Sequence, residues 1–331
     1  MSKVLIIAEA GVNHNGDIAT AKKMVHEAKK CGADIVKFQT FNPKLLCSKH
    51  AAMADYQKEN LGVEQSQEEM LRKLALKQED YVELARYCKE TGIKFLSTPF
   101  DIESIWFLDS LQDIWKIPSG EITNYPYLVE IAKTGKNALL STGMSALDEV
   151  DAALEVLKTN GSGQITLLHC TTSYPAPMKD VNLCAMLTLK AHCGCPVGYS
   201  DHTLGIEVPI AAAAMGATVI EKHFTLDRGM EGPDHKASLE PRELAAMVKA
   251  VRNIEGAIGD GAKEPSESEK ANIASVRKSI VAAKRIHKGE TLTADNLTTK
   301  RPGAGINPMR WNEVIGTGAV RDFEEDEQIE I

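Results

Sequence analysis

Eight times between residues 4 and 223 the sequence repeats one unit: a short apolar run, a polar residue where it ends, and an amphipathic stretch commonly closed by glycine. The runs are Val4–Glu9, Ile35–Thr40, Lys94–Thr98, Ile114–Pro118, Ala138–Ser141, Ile165–Cys170, Pro196–Ser200 and Val219–His223. Near-continuous apolar strands alternating with helices specify a parallel sheet covered on its faces by helices. Eight such units in about 225 residues match a closed (β/α)8 TIM barrel, for which about 250 residues is typical. The fold class read from the pattern is therefore α/β.

Helix ends are legible within the repeat. Asp17 or Thr20 can cap a helix running to Gly32, and Ser66–Leu76 and Glu79–Thr91 read as two helices, the second stopped by Gly92. The connection from Phe41 to Gln65, carrying Tyr56, Gln57 and Asn60, is the longest and reads as a substrate-covering loop. The texture changes near Gly259. Residues 1–258 form the barrel domain, 259–274 a linker rich in Gly, Ser and charge, and 275–331 a compact, mostly-β module. So small a module is marginal alone and is expected to pack on a barrel, its own or a partner's.

Composition removes several function classes. A formal net charge of −8 leaves no basic stripe for phosphate backbones, so no nucleic-acid partner is expected. No apolar run reaches the roughly 18 residues that span a bilayer, and MSKVLIIAEAG runs straight into Gly, Asn and His, so neither a membrane partner nor a signal peptide is read and a cytoplasmic location is expected. The seven cysteines, an odd number, are read as reduced and structural. The tail from Asp322 to Glu330 reads as a solvated acidic edge.

The catalytic mouth of a TIM barrel lies at the C-terminal ends of its strands, and there this chain places its polar residues. With a period of two, Lys37 and Gln39 share one strand face, as do Glu221 and His223. Glu9, Thr98, Lys116, Ser119, Ser141, Ser200 and His202 end the other strands. Each alone is more often structural: a lysine snorkels, Ser-Thr-Gly caps a helix, a histidine satisfies itself in a core. Several costly residues at the same end of consecutive strands reverse those odds. Two lysines with hydroxyls and backbone amides suit phosphate and carboxylate on one small molecule. His202 and His223, on neighbouring strands, can hold a divalent metal (Mn²⁺, Zn²⁺ or Co²⁺ all fit two imidazoles plus oxygen ligands) that polarises a carbonyl. Glu9 can handle a proton. A synthase joining a phosphorylated enol acid to an aldehyde would use all three. A Schiff-base aldolase cleaving sugar acids through Lys37 or Lys116 would share much of the set, and a barrel reduced to carbohydrate binding is a third reading.

The ordered motifs AEAGVNHNG, VKFQTF, STPFD, WKIPSGE, STGM, LHCTTSYP, GYSDHT and EKHFT resemble the sialic acid (N-acetylneuraminate) synthase family, makers of nonulosonic acids. The tail motifs KGE, NL and TKRPGAGI resemble its C-terminal antifreeze-like (SAF) domain. The resemblance implies condensation of phosphoenolpyruvate with an N-acylated hexosamine and water to give a nonulosonic acid and phosphate. The sugar would be N-acetylmannosamine, as in sialic acid synthesis, or a 2,4-diacetamido-6-deoxy sugar, as in legionaminic acid synthesis. It implies that Lys37, Thr98, Lys116, Ser119, Ser141 and Ser200 hold phosphoenolpyruvate, and that Glu9 is the catalytic glutamate. Gln39, Tyr174 and Asp234 would meet the sugar, with Glu221 beside the substrate. His202 and His223 would hold the metal, manganese by resemblance, with Mg²⁺ or Co²⁺ as substitutes. Arg301 would enter the site of a partner subunit in a domain-swapped homodimer. The chain departs from some members at Thr172, where they carry Asn, and at Ala304, where they read RPGNG.

Overall fold

In the computed structural model, residues 3–48, 50–62 and 66–331 are described. They fall into two compact units, Met1–Asp260 and Gly261–Ile331. The first carries eight parallel strands: β1 (Leu5–Gly11), β2 (Ile35–Thr40), β3 (Lys94–Pro99), β4 (Ile114–Ile117), β5 (Asn137–Ser141), β6 (Ile165–His169), β7 (Val197–Asp201) and β8 (Val219–His223). Their ladder runs β3-β2-β1-β8-β7-β6-β5-β4. At the remaining seam β3 and β4 lie side by side, and buried Gln112, just ahead of β4, accepts a hydrogen bond from the Ser97 N–H of β3 at 2.8 Å. The eight-unit repeat is thus a TIM barrel.

Two cores hold it. The barrel's interior floor is an apolar plug of Ile7, Ile35, Leu96, Leu139, Leu168 and Val219. The larger core lies between the strands and the surrounding helices, around side chains such as Met24, Leu84, Trp115, Tyr127 and Phe224. Gly198 of β7 has no room for a side chain: a Cβ there would sit 2.5 Å from the Val219 carbonyl oxygen and 2.7 Å from Leu168 Cδ2. Helix starts follow the sequence signals. Asp17 caps Ile18–Lys30 by accepting from the N–H groups of Ala19 and Thr20, and Ser66 with Glu69 forms a capping box ahead of Gln67–Leu74.

The segment 41–65, expected as a substrate-covering loop, is partly helical. It contains helices Pro43–Leu46 and Asp55–Leu61, and it buries Met53 and Cys47 with Phe41, Met70, Leu71 and Leu74. Its apolar residues outnumber what a solvated loop needs, so it packs as a small cap. The side chain of Tyr56 and residues 63–65 lie outside the described residues.

In the second unit, β9 (Ser279–Ala282) pairs antiparallel with β10 (Leu297–Lys300) over a core including Ile280, Ile286, Leu292, Val314, Phe323 and Ile329. Two expectations change there. The stretch 259–274, read as linker, runs into a helix over Glu267–Val276. The acidic tail is not wholly solvated: Phe323 and Ile329 turn into the core, while Glu327 and Glu330 each lie 3.0 Å from Arg321.

Candidate active site

The ladder register carries the strand-end residues to one level of the barrel. Glu9 of β1 stands opposite Lys37 of β2 on one side and His223 of β8 on the other. Gln39 stands opposite Thr98, and Ser200 opposite Glu221. Two residues up each strand from the apolar floor, the interior therefore turns polar and charged. Twelve of the residues singled out in the sequence (Glu9, Lys37, Gln39, Thr98, Lys116, Ser119, Ser141, Tyr174, Ser200, His202, Glu221 and His223) line one cavity of about 570 Å³. Asp234 lies in a communicating pocket that shares Gln39, Gln57, Gln67, Phe100, Gly120, Tyr174 and His223 with the cavity and is lined besides by Val12, Phe41, Leu46, Cys47, Met70, Leu71, Leu74, Glu121 and Pro233. Arg301 and Ala304 belong to the second unit.

The charges form one buried chain. The Lys37 ammonium lies 2.6 Å from a Glu9 oxygen, donates to Thr98 Oγ1 at 3.0 Å and lies 3.8 Å from Glu221. Glu221 also lies 3.6 Å from the Lys116 ammonium and accepts from Ser200 Oγ at 2.8 Å. Gln39 donates to the other Glu9 oxygen at 3.0 Å. The two carboxylates are driven apart. Burial alone would raise the Glu221 pKa, but Lys116 and Lys37 outweigh it and hold it at about 2, so Glu221 stays ionised. Glu9 moves the other way: burial raises its pKa, Lys37 opposes, and Glu221 adds repulsion. A pair of carboxyl groups with opposite shifts divides naturally into a fixed anion and a proton carrier. The lysines divide too. Burial is outweighed at Lys37 by Glu221 and Glu9, raising its pKa, whereas at Lys116 burial wins and lowers it. Asp234 is pushed up to about 7 by burial and then by Glu9.

The histidines are kept as neutral ligand donors. Burial lowers the pKa of His202 and drives that of His223 well below the usual range, with His202 and Lys37 adding to the push. His202 Nδ1 donates to the Thr171 carbonyl at 2.7 Å, which leaves the Nε2 lone pair on the cavity side of the ring's chemistry. The two ring centroids are 5.5 Å apart, and Tyr174 packs 4.2 Å from that of His202. His223 Nδ1 is buried without a hydrogen-bond partner, as is Ser141 Oγ. This donor set fits a divalent metal completed by oxygen ligands from substrate and water.

Among the cavity residues that the sequence reading missed, Cys170 matters most chemically. Cys170, read as structural, directly follows β6 and lines the cavity, its Sγ 3.2 Å from Ser119 Oγ. Its signal was positional, since it occupies the strand-end place that the other strands fill with polar side chains. Ser119 Oγ accepts from the Gly143 N–H at 2.9 Å. A Cβ on Gly143 would meet Thr172 Oγ1 at 2.4 Å, Ser119 Oγ at 2.8 Å and Cys170 Sγ at 2.9 Å, so this corner requires glycine. Thr172, one of the two departures, lines the cavity directly.

The NeuB family model matches residues 24–263 and the SAF domain model residues 277–330. The chain belongs to the NeuB family. It is 54% identical over 332 residues to the N,N'-diacetyllegionaminic acid synthase of Campylobacter jejuni, covering 99% of each chain. It is 38% identical to the N-acetylneuraminate-9-phosphate synthase of Homo sapiens, over 98% of this chain and 90% of that protein. Among solved structures it resembles the N-acetylneuraminic acid (sialic acid) synthetase of Leptospira borgpetersenii in complex with citrate. That match has a TM-score of 0.74 at 36% identity and covers 82% of this chain and 90% of that one. The resemblance read from eight short motifs is thereby a family membership.

Proposed function

We propose that this NeuB family member joins phosphoenolpyruvate to an N-acylated hexosamine and water, giving a nonulosonic acid and phosphate. The observation that carries the reading is the pair of buried ammonium groups, Lys37 and Lys116, flanking ionised Glu221 in a cavity that also holds two neutral imidazoles. Lys37, Thr98, Lys116, Ser119, Ser141 and Ser200 take the phosphate and carboxylate of phosphoenolpyruvate. Glu221 orients both lysines and offsets their charge. C3 of phosphoenolpyruvate attacks the sugar aldehyde. Glu9 in its acid form protonates the resulting alkoxide and, as carboxylate, takes a proton from the water that adds at C2. Phosphate then departs with cleavage of its C–O bond, leaving the 2-keto acid. His202 and His223 would hold a divalent ion, Mn²⁺ for preference, which supplies Lewis-acid polarisation of the aldehyde.

The communicating pocket bears on the choice of sugar. Its mostly apolar wall beside Asp234 suits a 2,4-diacetamido-6-deoxy sugar, with a second acetamido methyl and a C6 methyl, better than N-acetylmannosamine with its polar O6. The 54% identity to an N,N'-diacetyllegionaminic acid synthase supports the same choice. In this reading the enzyme works in the cytoplasm as a homodimer whose SAF domains exchange, Arg301 closing the sugar site of the other copy. The test is phosphate release from phosphoenolpyruvate with Mn²⁺ and each sugar in turn. Faster turnover of the diacetamido sugar is expected, and no release with any N-acylated hexose overturns the proposal.

The depressed pKa of Lys116 is the one observation that favours a Schiff-base aldolase. Borohydride with pyruvate decides it: a covalent adduct on Lys116 supports the aldolase, and chelator-sensitive activity without an adduct supports the synthase.

A further inference from the structure

Outside the barrel mouth, one group of three donor side chains among the described residues has the chemistry of a metal site. Asp151, His192 and Cys193 each offer one donor atom, and the three atoms lie within 4.8 Å of one another. Asp151 sits on the helix Leu147–Thr159 that follows β5, and His192 and Cys193 end the helix Cys184–Cys193 that follows β6. His192 Nε2 is 2.8 Å from one Asp151 oxygen, and Cys193 Sγ is 4.0 Å from the other. Donors of a tetrahedral ion with bonds of about 2.0–2.3 Å stand some 3–4 Å apart, so small side-chain rotations bring these three to a common centre. The position is favourable in a second way, because the C-terminal end of a helix carries partial negative charge and attracts a cation. Gly194, in the left-handed region at φ 64°, then turns the chain so that Cys195 follows closely, its Sγ 3.6 Å from the Cys193 carbonyl.

We propose that Asp151, His192 and Cys193 form a surface site for a divalent transition metal of the Zn²⁺ class, separate from the pair in the barrel mouth. Sulfur, nitrogen and oxygen donors together select a borderline-soft ion over Mg²⁺ or Ca²⁺. Binding displaces the thiol proton of Cys193 to solvent, while the imidazole keeps one hydrogen, moved to Nδ1 so that Nε2 can ligate. Burial and then the Asp151 carboxylate push the Cys193 thiol up in the metal-free chain, and Lys158 opposes them weakly. A cation between Asp151 and Cys193 reverses the effect of the carboxylate. Asp151 and His192 remain about half exposed, with side chains 51% and 44% accessible, so water completes the shell. The bound ion would replace the direct His192–Asp151 contact as the link between the two helices. The helices follow β5 and β6, and Ser141 at the end of β5 and Cys170 just after β6 line the catalytic cavity.

Titration of the intact, metal-stripped chain with Co²⁺ tests this site without reference to activity. A thiolate-to-cobalt charge-transfer band should appear, saturate and be displaced by Zn²⁺. The band should be lost in Cys193→Ser, weakened in His192→Ala and Asp151→Asn, and retained in the His202→Ala/His223→Ala double variant. All three surface variants should keep the parent thermal midpoint in the absence of metal. The proposal is overturned by the absence of the band, by its persistence in Cys193→Ser, or by its loss in the His202/His223 variant.

Discussion

Strand β8 buries charge on both faces, Glu221 inward and Lys222 outward against Asp201 of β7, and the two faces differ in how completely the charge is matched. On the outer face Lys222 and Asp201 form a fully buried ion pair at 2.5 Å. Asp201 also accepts from the Thr203 N–H and hydroxyl, both at 3.0 Å, and Lys222 donates to the Thr203 carbonyl. Every strong group there is paired within the protein. On the inner face Glu221 and His223 join a larger set in which Ser141 Oγ and His223 Nδ1 have no hydrogen-bond partner. Buried polar groups left unmatched cost about 1–3 kcal/mol each and are retained where a ligand meets them. The lesson is that burial of charge alone does not mark a site. The outer pair is a strut between strands, and the inner set is a receptor.

Substitutions should separate the two faces by what they damage. The largest effects fall inside. Glu9→Gln removes the proton carrier and is expected to lower kcat by about 10²–10⁴-fold, read by phosphate release, while the urea midpoint stays level or rises. Equal losses of activity and stability would show Glu9 to be a strut after all. Outside, Lys222→Ala leaves Asp201 buried and unpaired and should lower folding stability by about 3–5 kcal/mol in urea titration, with the activity per folded molecule retained. The double variant Lys222→Met/Asp201→Leu removes both charges and should recover most of that loss, because apolar replacement of a buried pair is commonly close to neutral. If the double variant is as unstable as the single one, the pair does more than hold β7 to β8.

A smaller effect comes from imidazoles that are buried without charge. Burial lowers the pKa of His14 to about 4, against the pull of Asp17 and Asp80. In the unfolded chain it titrates near 6.5, so between these values the unfolded state binds more protons. Stability is full above about pH 6.5 and falls as pH drops toward 4, by about 2 kcal/mol from this group at pH 5. His235, also lowered to about 4 by burial, acts in the same direction. Urea midpoints between pH 7 and pH 5 should show this slope, and His14→Gln should flatten it.

The barrel was legible because each strand is a mostly buried apolar run between floor and helices, and burial on both faces leaves little else for a sequence to write. The site was legible at the same positions, since a Lys or Glu closing such a run has nowhere inexpensive to go. Legibility failed where a residue type has two ordinary homes. Cys170 looked like one more core thiol, though it lines the cavity just past its strand. Lys222, between Glu221 and His223, drew no notice because the one-residue step that turns it outward hides its partner Asp201 in another strand. The cap over residues 41–65 and the helix Glu267–Val276 were hidden by composition, as polar helices with short apolar stripes read much like loops.

The bond from His202 Nδ1 to the Thr171 carbonyl has a consequence for tinkering with this enzyme. The partner that fixes the imidazole's tautomer is main chain, so no side-chain exchange at position 171 can remove it. Shuffling residues in the loop after β6 therefore leaves the histidine's hydrogen where it is, which frees that loop to diverge around new sugars. A change in loop length has no such protection. One inserted or deleted residue moves the carbonyl itself, and the imidazole can then turn its protonated nitrogen toward the cavity.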